Sequence, residues 1–200
     1  MTRKALDFYP TGGGKPAMLH GKPSPVWAAR ALYRRLPQIG DIAEPCVGTG
    51  DLIVGRDDVR WTNDVDEQRP ATYHLNAATP AAWKVFPRVR WLVTNPPFNL
   101  AHQILTCALD HALDGVAMLL RLSFLEPTEQ RARLLCERPP TRQLVLPRIS
   151  YTGDGKTDSV TCAWLVWSEH VEPGIEVVNP LERYDDVHEQ QPLFAAEAIA

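Results

Sequence analysis

The chain has 200 residues, 44% of them hydrophobic, and a formal net charge of −3 at pH 7. These values predict one globular domain with a buried core, and they argue against a surface that is basic throughout, although not against a local basic cleft. No apolar stretch has membrane-spanning length, no signal-peptide pattern is present, and the four cysteines stand singly without metal-site spacing. We therefore expect a cytoplasmic protein with reduced thiols, no membrane association and no metal.

Apolar runs separated by turn residues predict a mostly parallel α/β sheet covered by helices on both faces. The last two strands predict an antiparallel hairpin at one edge of a seven-stranded sheet. Residues 171–200 are acidic and weakly patterned, so we assign 1–170 to the domain and the rest to a tail. In chain order, the predicted elements are helix 26–36, strand 41–43, a helical piece near 51–55, strands 59–63 and 71–75, helix 79–85, strand 89–94, helix 100–113, strand 116–120, helix 128–137, and strands 143–146 and 160–167.

A glycine turn, Glu44-Pro45-Cys46-Val47-Gly48-Thr49-Gly50, follows the first predicted strand. Two glycines allow a tight turn and a close approach of the backbone to a ligand. Ile53 stands where the dinucleotide fingerprint has its third glycine, which argues against a nicotinamide cofactor. The carboxylate of Glu44 would repel a pyrophosphate and attract an ammonium group. The turn therefore favours a ligand with an amine and without a phosphate.

Polar residues also follow the next two predicted strands. Asp64 stands at the end of the second strand, where an acid commonly accepts both hydroxyls of a ribose, and this position makes it a better candidate than Asp66. Asn76 follows the third strand and is placed to contact the edge of an adenine. S-adenosylmethionine combines an amine, a ribose and an adenine without a phosphate, and we predict it as the cofactor.

The segment Asn95-Pro96-Pro97-Phe98 follows directly on the predicted strand 89–94. Two consecutive prolines have fixed φ and no N–H, so neither a helix nor a central strand continues through them. The side-chain carbonyl of Asn95 and the backbone carbonyl of Pro96 are acceptors, and Phe98 adds a flat apolar face. Two acceptors beside a stacking ring suit the exocyclic amine of a planar heterocycle. A plain Pro-Pro turn with a polar cap is the structural alternative.

These segments together resemble the amino-methyltransferases of DNA. Asn in the first place of 95–98 resembles the adenine-N6 group, whereas the cytosine-N4 group usually has Ser there. Segments 118–126 and 163–167 look more narrowly like small methyltransferases of phages and prophages. The resemblance implies a Rossmann-like class I fold and methyl transfer from S-adenosylmethionine to the N6 amine of adenine in DNA. It implies catalytic roles for Asn95, Pro96, Pro97 and Phe98, and cofactor contacts from Thr11, Ser24, Glu44, Cys46, Gly48, Gly50, Asp64, Asn76 and Asn95.

The chain departs from that family's pattern in two ways. An aromatic-Thr-Pro element usually precedes the first helix, but here residues 12–22 are inserted between Thr11 and Ser24-Pro25, so either half is a candidate for the methionine end of the cofactor. The glycines of this insertion lack P-loop spacing and predict a flexible loop. There is also no separate target-recognition domain. Only 12–22 and 148–159 are sizeable enough to read DNA, so we expect little or no sequence specificity.

A base inside a duplex must be flipped out to react, and Phe98 is the predicted stacking surface. Tyr151 is a candidate second face, although a hairpin aromatic that covers the sheet edge is an equal alternative. Four cationic side chains are candidates for contacts with DNA phosphates, namely Arg131, Arg133, Arg148 and Lys156. A solvent-exposed position without such a role is the alternative for each.

Four other functions remain open at this point. Asn-Pro-Pro followed by an aromatic residue also occurs in RNA adenine-N6 and protein-glutamine N5 methyltransferases, and Phe98 favours nucleic acid because the glutamine enzymes usually have Tyr there. Pro45-Cys46 resembles the nucleophile pair of cytosine-C5 methyltransferases, but its place inside the glycine turn argues against that role. A non-enzymatic module that keeps the S-adenosylmethionine fold is the fourth alternative.

Overall fold

The computed structural model of the protein describes residues 26–149 and 160–183. In these ranges helices and strands alternate, as the sequence predicts. The α-helices are Val26–Arg35 (α1), Pro80–Trp83 (α2), Ala101–His111 (α3) and Glu129–Glu137 (α4), and short 3-10 helices cover Leu122–Leu125 and Pro180–Arg183. The strands are Ile42–Glu44 (β1), Val59–Thr62 (β2), Trp91–Thr94 (β3), Gly115–Arg121 (β4), Arg142–Val145 (β5), Cys162–Trp167 (β6) and Gly174–Val177 (β7).

The strands form one seven-stranded sheet in the order β2-β1-β3-β4-β6-β5-β7. All pairings are parallel except those of β6, which runs antiparallel to both β4 and β5. One face of the sheet packs against α1 and the other against α2 and α3, so β3 and β4 are buried along almost their whole length. The fold class predicted from the sequence, a mostly parallel Rossmann-like sheet, is confirmed.

The order of the strands creates a crevice at one edge of the sheet. The chain passes from β1 to its neighbour β2 and then crosses to β3 on the other side of β1. In open α/β sheets, ligands bind outside the carboxyl ends of the strands at such a reversal. The glycine turn after β1, the acidic segment after β2 and the Asn95 segment after β3 all leave the sheet at this edge.

The strand predicted over 71–75 does not form. Only Tyr73 pairs with the sheet, through an isolated parallel bridge to Asn63. The hydroxyl of Thr72 accepts the Thr62 N–H at 3.1 Å, and the hydroxyl of Thr62 accepts the Thr72 N–H at the same distance. Side-chain hydroxyls therefore bind backbone N–H groups that a continuous ladder would use, and this explains why the predicted strand does not form.

The seventh strand comes instead from the segment that the sequence assigned to a tail. Gly174–Val177 pairs in parallel with β5, so the sheet continues beyond residue 170, and β7, not the β5–β6 hairpin, forms that edge. The antiparallel pairing of β5 with β6 itself is confirmed. Ile175 and Val177 are 72% and 75% exposed, so β7 lacks the buried apolar pattern by which strands are recognised. Ion pairs hold it in place: Glu176 bonds Arg35 at 2.5 Å and Arg142 at 2.8 Å.

The helical piece expected near 51–55 is a series of turns, because Gly50 and Gly55 both have positive φ. Leu52 nevertheless packs in the core. Across the part of the chain that the structure describes, no helix has the length and apolar character needed to cross a membrane.

Candidate active site

The side chain of Glu44 is the buried acid at the centre of the crevice. It ends β1 and is 1% exposed, and its Oε2 has no hydrogen-bond partner among the described residues. A buried carboxylate oxygen without a donor is costly, because desolvation is not repaid by a hydrogen bond or an opposite charge. The position therefore suits a bound group that brings both N–H donors and positive charge.

The glycine turn wraps around this acid. Gly48 and Gly50 have φ of 53° and 80°, a region that L side chains rarely adopt. The Gly50 N–H donates to the carbonyl of Val47 at 2.8 Å and closes the turn. Tyr33 of α1 supports the far side of the loop, since its hydroxyl donates to the carbonyl of Leu52 at 3.1 Å. The predicted glycine loop is thus a tight turn fixed to both the sheet and α1.

Asp64 links the glycine turn to the end of β2. Its Oδ2 accepts the Gly48 N–H at 2.8 Å, and its Oδ1 accepts the Asp66 N–H at 2.9 Å. Each carboxylate oxygen has a second lone pair. Asp64 therefore holds the loop in place and still has acceptor capacity toward the crevice. Asp66 instead accepts the Gln68 N–H and pairs with Arg69, away from the glycine turn.

Asn63 is a positioning residue that the sequence interpretation missed. It is 1% exposed, and its amide donates to the carbonyls of Pro45 at 2.8 Å and Leu75 at 3.0 Å. Its Oδ1 accepts the Leu75 N–H at 2.9 Å. This buried carboxamide thus joins the end of β2 to the glycine turn and to the segment at Leu75. The available signal was a carboxamide at the end of the predicted strand 59–63.

Three carboxylates crowd this side of the crevice. Burial, and then the charges of Asp51 and Asp64, raise the pKa of Glu44 well above its ordinary value of 4.5. Asp51 was also missed from the sequence; it is 8% exposed, burial raises its pKa, and the Thr49 hydroxyl donates to it at 2.6 Å. A cation bound here would relieve the repulsion among the three acids.

The Asn95 segment leaves β3 beside the acids. Thr94, the last residue of the strand, is fully buried, and the Leu100 N–H donates to the carbonyl of Pro97 at 2.9 Å where α3 begins. Asn95 is half-buried, and within residues 26–149 and 160–183 no group hydrogen-bonds to its side-chain amide. A rigid turn thus holds a partly exposed carboxamide that is available to a ligand.

Phe98 lies between the two core clusters and borders a cavity of about 200 Å³. The guanidinium of Arg121 lies 4.4 Å from the centre of the Phe98 ring. The cavity is lined by aromatic, basic and polar side chains, including Phe98, Phe124, Arg121, Arg131, Asn99 and Ser123. Arg131 therefore lies at the cavity, whereas Arg133 on the same helix is 85% exposed and pairs with Glu137 at 2.9 Å.

Cys46 has the properties of a structural thiol. Burial is the main effect and raises the pKa of Cys46 to about 12. The Thr94 side chain acts in the opposite direction, whereas the nearby Glu44 and Asp64 charges act in the same direction as burial. The thiolate is the nucleophilic form of cysteine. The environment of Cys46 therefore disfavours the attack on a pyrimidine ring that a cytosine-C5 mechanism requires.

The remaining predicted residues lie at the margins or outside the description. Asn76 is exposed, and its Oδ1 accepts the Ala78 N–H at 3.0 Å, so it shapes the turn into α2 at the same edge of the sheet. Arg148 is exposed beyond the end of β5. Thr11, Ser24, Tyr151, Lys156 and the insertion 12–22 lie outside the described residues. In the two described ranges, no three or more His, Cys, Asp or Glu side chains form a group that could hold a metal ion.

Comparison with models of known families and with curated protein sequences finds no match. Solved structures do match. A class I S-adenosylmethionine-dependent methyltransferase from Listeria monocytogenes, so assigned provisionally, has TM-score 0.55 and 12% identity over 81% of this chain and 67% of its own. The M protein of the type I restriction enzyme EcoKI has TM-score 0.59 and 10% identity over 74% of this chain and 44% of its own.

A third match is a protein from Pyrococcus horikoshii provisionally assigned as an RNA methyltransferase. It has TM-score 0.54 and 16% identity over 73% of this chain and 84% of that protein. Identities this low establish the fold alone. The chain has the Rossmann-like fold of class I methyltransferases. This fold is shared with the EcoKI M protein and with the protein provisionally assigned as an RNA methyltransferase.

Proposed function

We propose that this protein transfers a methyl group from S-adenosylmethionine to the N6 amine of adenine in DNA. The observation that carries the proposal is one juxtaposition. The Asn95-Pro96-Pro97-Phe98 turn leaves β3 at the same sheet edge where the buried, unpaired carboxylate of Glu44 ends the neighbouring strand β1. Amine acceptors and a cation site thus occupy adjacent strand ends of a methyltransferase fold.

The acidic side of the crevice fits the cofactor. S-adenosylmethionine supplies an electrophilic methyl group on a positively charged sulfur. Glu44 would accept N–H bonds from the amino group of the methionine portion, and its unsatisfied Oε2 is the observation that favours this contact. Asp64 would accept the ribose hydroxyls through its remaining lone pairs, while its bonds to the Gly48 and Asp66 N–H groups keep the carboxylate in position.

The Asn95 segment fits the nucleophile. The exocyclic amine of adenine is a weak nucleophile, because its lone pair is delocalised into the ring. The Asn95 side-chain carbonyl and the Pro96 backbone carbonyl would accept the two N–H bonds and favour a tetrahedral nitrogen with an available lone pair. The proline turn fixes both acceptors before the substrate arrives, and proximity to the methyl group then supplies much of the acceleration.

DNA as the substrate, and low sequence specificity, are the finer parts of the proposal. The similarity to the EcoKI M protein agrees with DNA, and Phe98 in the fourth place agrees with a nucleic-acid base. Between β3 and β4 the chain places α3 alone, and direct readout of four or more base pairs needs several placed side chains. This would suit broad modification of a genome, as in the small phage and prophage enzymes that the sequence resembles.

The direct test is incubation of the full chain with S-adenosylmethionine and DNA or RNA of mixed sequence, followed by nucleoside analysis. We expect N6-methyladenine in DNA, and sequencing of the methylated positions should show many contexts. N6-methyladenine in RNA alone would show that RNA, and not DNA, is the substrate. N4- or C5-methylcytosine as the product, or no turnover on either polymer with cofactor bound, would contradict it.

A further inference from the structure

The cavity beside Phe98 has a charge that the methyl transfer itself does not need. Two guanidinium groups, from Arg121 and Arg131, line it, and none of its described lining residues is acidic. The whole chain, by contrast, has a formal charge of −3. A cleft with one sign of charge concentrates the opposite ion, so this cavity suits an anion.

Arg121 is the first of the two cations. It is the last residue of β4, and its guanidinium stacks over Phe98 instead of pairing with an acid. Its Nε is buried and has no hydrogen-bond acceptor among the described residues. A charged N–H donor that is buried without an acceptor is rare, because its desolvation is uncompensated. An oxygen anion in the cavity would compensate the charge of this guanidinium group.

Arg131 is the second cation, and it is held firmly. Its Nη1 donates to the carbonyls of Phe124 at 2.8 Å and Ser123 at 3.1 Å, and its Nε donates to the Thr128 hydroxyl at 3.1 Å. These acceptors are all neutral, so they orient the guanidinium without cancelling its charge. In agreement with a positive field here, burial and then the charge of Arg131 lower the pKa of His102.

We propose that Arg121 and Arg131 bind a phosphodiester of the substrate strand next to the target nucleotide. Guanidinium groups match phosphate oxygens in geometry and charge, and stacked arginines keep the planar orientation that such binding needs. The inference rests on the proposed function and deepens it, since it names the two side chains that would bind the substrate backbone. DNA and RNA share this phosphate chemistry, so the test includes both.

The test compares Arg121→Met with Arg133→Met. In Arg121→Met, methionine keeps an unbranched side chain over Phe98 but removes the positive charge. Arg133→Met is the control, because Arg133 is an arginine on α4 that faces solvent. Binding of fluorescent DNA and RNA oligonucleotides is measured over a salt series. Loss of one phosphate contact should reduce the slope of log affinity against log salt by about 0.7–0.9. When salt is raised from 50 to 200 mM, the fold-decrease in affinity should therefore be about three times smaller for Arg121→Met than for wild type.

Three further outcomes keep the inference separable from the proposed function. Arg121→Lys, which retains the charge, should keep the wild-type slope while binding more weakly, and a slope reduced as in Arg121→Met would contradict a charge contact. Equal slopes for Arg121→Met and Arg133→Met would overturn the phosphate site, even if wild type methylates DNA. A wild-type chain that neither binds nor methylates either polymer would overturn both proposals.

Discussion

The crevice has two sides with opposite charge. At the ends of β1 and β2, three carboxylates lie close together, and burial, followed by the charges of Asp51 and Asp64, raises the pKa of Glu44. At the ends of β3 and β4, two guanidinium groups lie on the aromatic rings of Phe98 and Phe124. The Asn95 segment stands between them. The formal net charge of −3 does not indicate these two oppositely charged sides, because it sums the charges of the whole chain.

This contrast matches the two ligands of the proposed reaction. S-adenosylmethionine carries positive charge, and a nucleic acid strand carries negative charge, so each would meet the complementary side. Opposite charges also reduce misplacement, because a phosphate in the acidic side or a cation in the basic side would be repelled. Changes on the two sides should therefore have separable effects on cofactor and on substrate.

The largest effect should come from the residue between the two sides. Asn95→Ala removes one acceptor of the target amine, and we expect methylation to fall by about 10²–10³-fold, as when one preorganised hydrogen-bonding group is lost. Cofactor affinity should hardly change, because the proposed function assigns the Asn95 side chain to the target amine. Single-turnover methylation and calorimetry measure the two quantities, with Gln103→Ala, an exposed carboxamide on α3, as the control. Appreciable turnover by Asn95→Ala would reject the proposed role.

On the acidic side, Asp64→Asn should weaken cofactor binding about tenfold to hundredfold, because charge-assisted hydrogen bonds contribute about 1.5–3 kcal/mol each. Oligonucleotide affinity should stay as in wild type. Calorimetric titration with S-adenosylmethionine gives the dissociation constant. Asp66→Asn removes a carboxylate two residues away that lies off the glycine turn, and it should bind nearly normally. If both variants bind the cofactor equally well, the ribose assignment is wrong.

Glu44→Gln should have opposite effects on stability and on binding. A carboxyl whose pKa is raised by folding holds its proton more tightly in the native state, so it costs stability as the pH rises above its ordinary value of 4.5 toward its native value. Without cofactor, Glu44→Gln should therefore melt at a higher temperature than wild type at pH 7, and the difference should shrink near pH 4.5.

The same variant should lose about tenfold or more in cofactor affinity, because a neutral amide cannot replace a charge-assisted acceptor. Because burial raises the pKa of Glu44 above its ordinary value of 4.5, wild-type cofactor binding should release a proton from Glu44 in part of the pH range above 4.5. Calorimetry over a pH series, in buffers of different ionisation enthalpy, detects this release. Glu44→Asp is the charged control. Equal proton release by wild type and Glu44→Gln would show that Glu44 does not meet the ammonium group.

The smallest effect is expected on the basic side. Phe98→Leu keeps an apolar contact with both core clusters but removes the aromatic face, which contributes about 1–3 kcal/mol per stacked base. Methylation of duplex DNA should fall more than that of single strands, because a single-stranded base has less stacking to give up. Cofactor affinity should not change. Equal losses on both substrates would mean that Phe98 only packs the site.

The sequence was reliable where local chemistry controls the backbone. Gly48 and Gly50 dictated a turn, consecutive prolines ended β3, and continuous apolar runs marked the buried strands. It failed where pairing is nonlocal. The Thr62 and Thr72 hydroxyls replace part of a ladder at 71–75, and β7 is held by ion pairs of Glu176 with residues over thirty positions away, so neither outcome follows from apolar periodicity.

The sequence by itself determined the α/β class and the order of the strand-end motifs, because strand and turn formation depend on side chains that are close along the chain. Only the tertiary structure decided which polar groups meet. It brought Asp51 and Asp64 close to the buried Glu44. It placed the Asn63 side chain so that it hydrogen-bonds both the glycine turn and the segment at Leu75. It also placed Arg121 and Arg131 at the cavity, whereas Arg133 faces solvent. Burial and opposing charges arise from packing across the sheet, and spacing along the chain does not encode them.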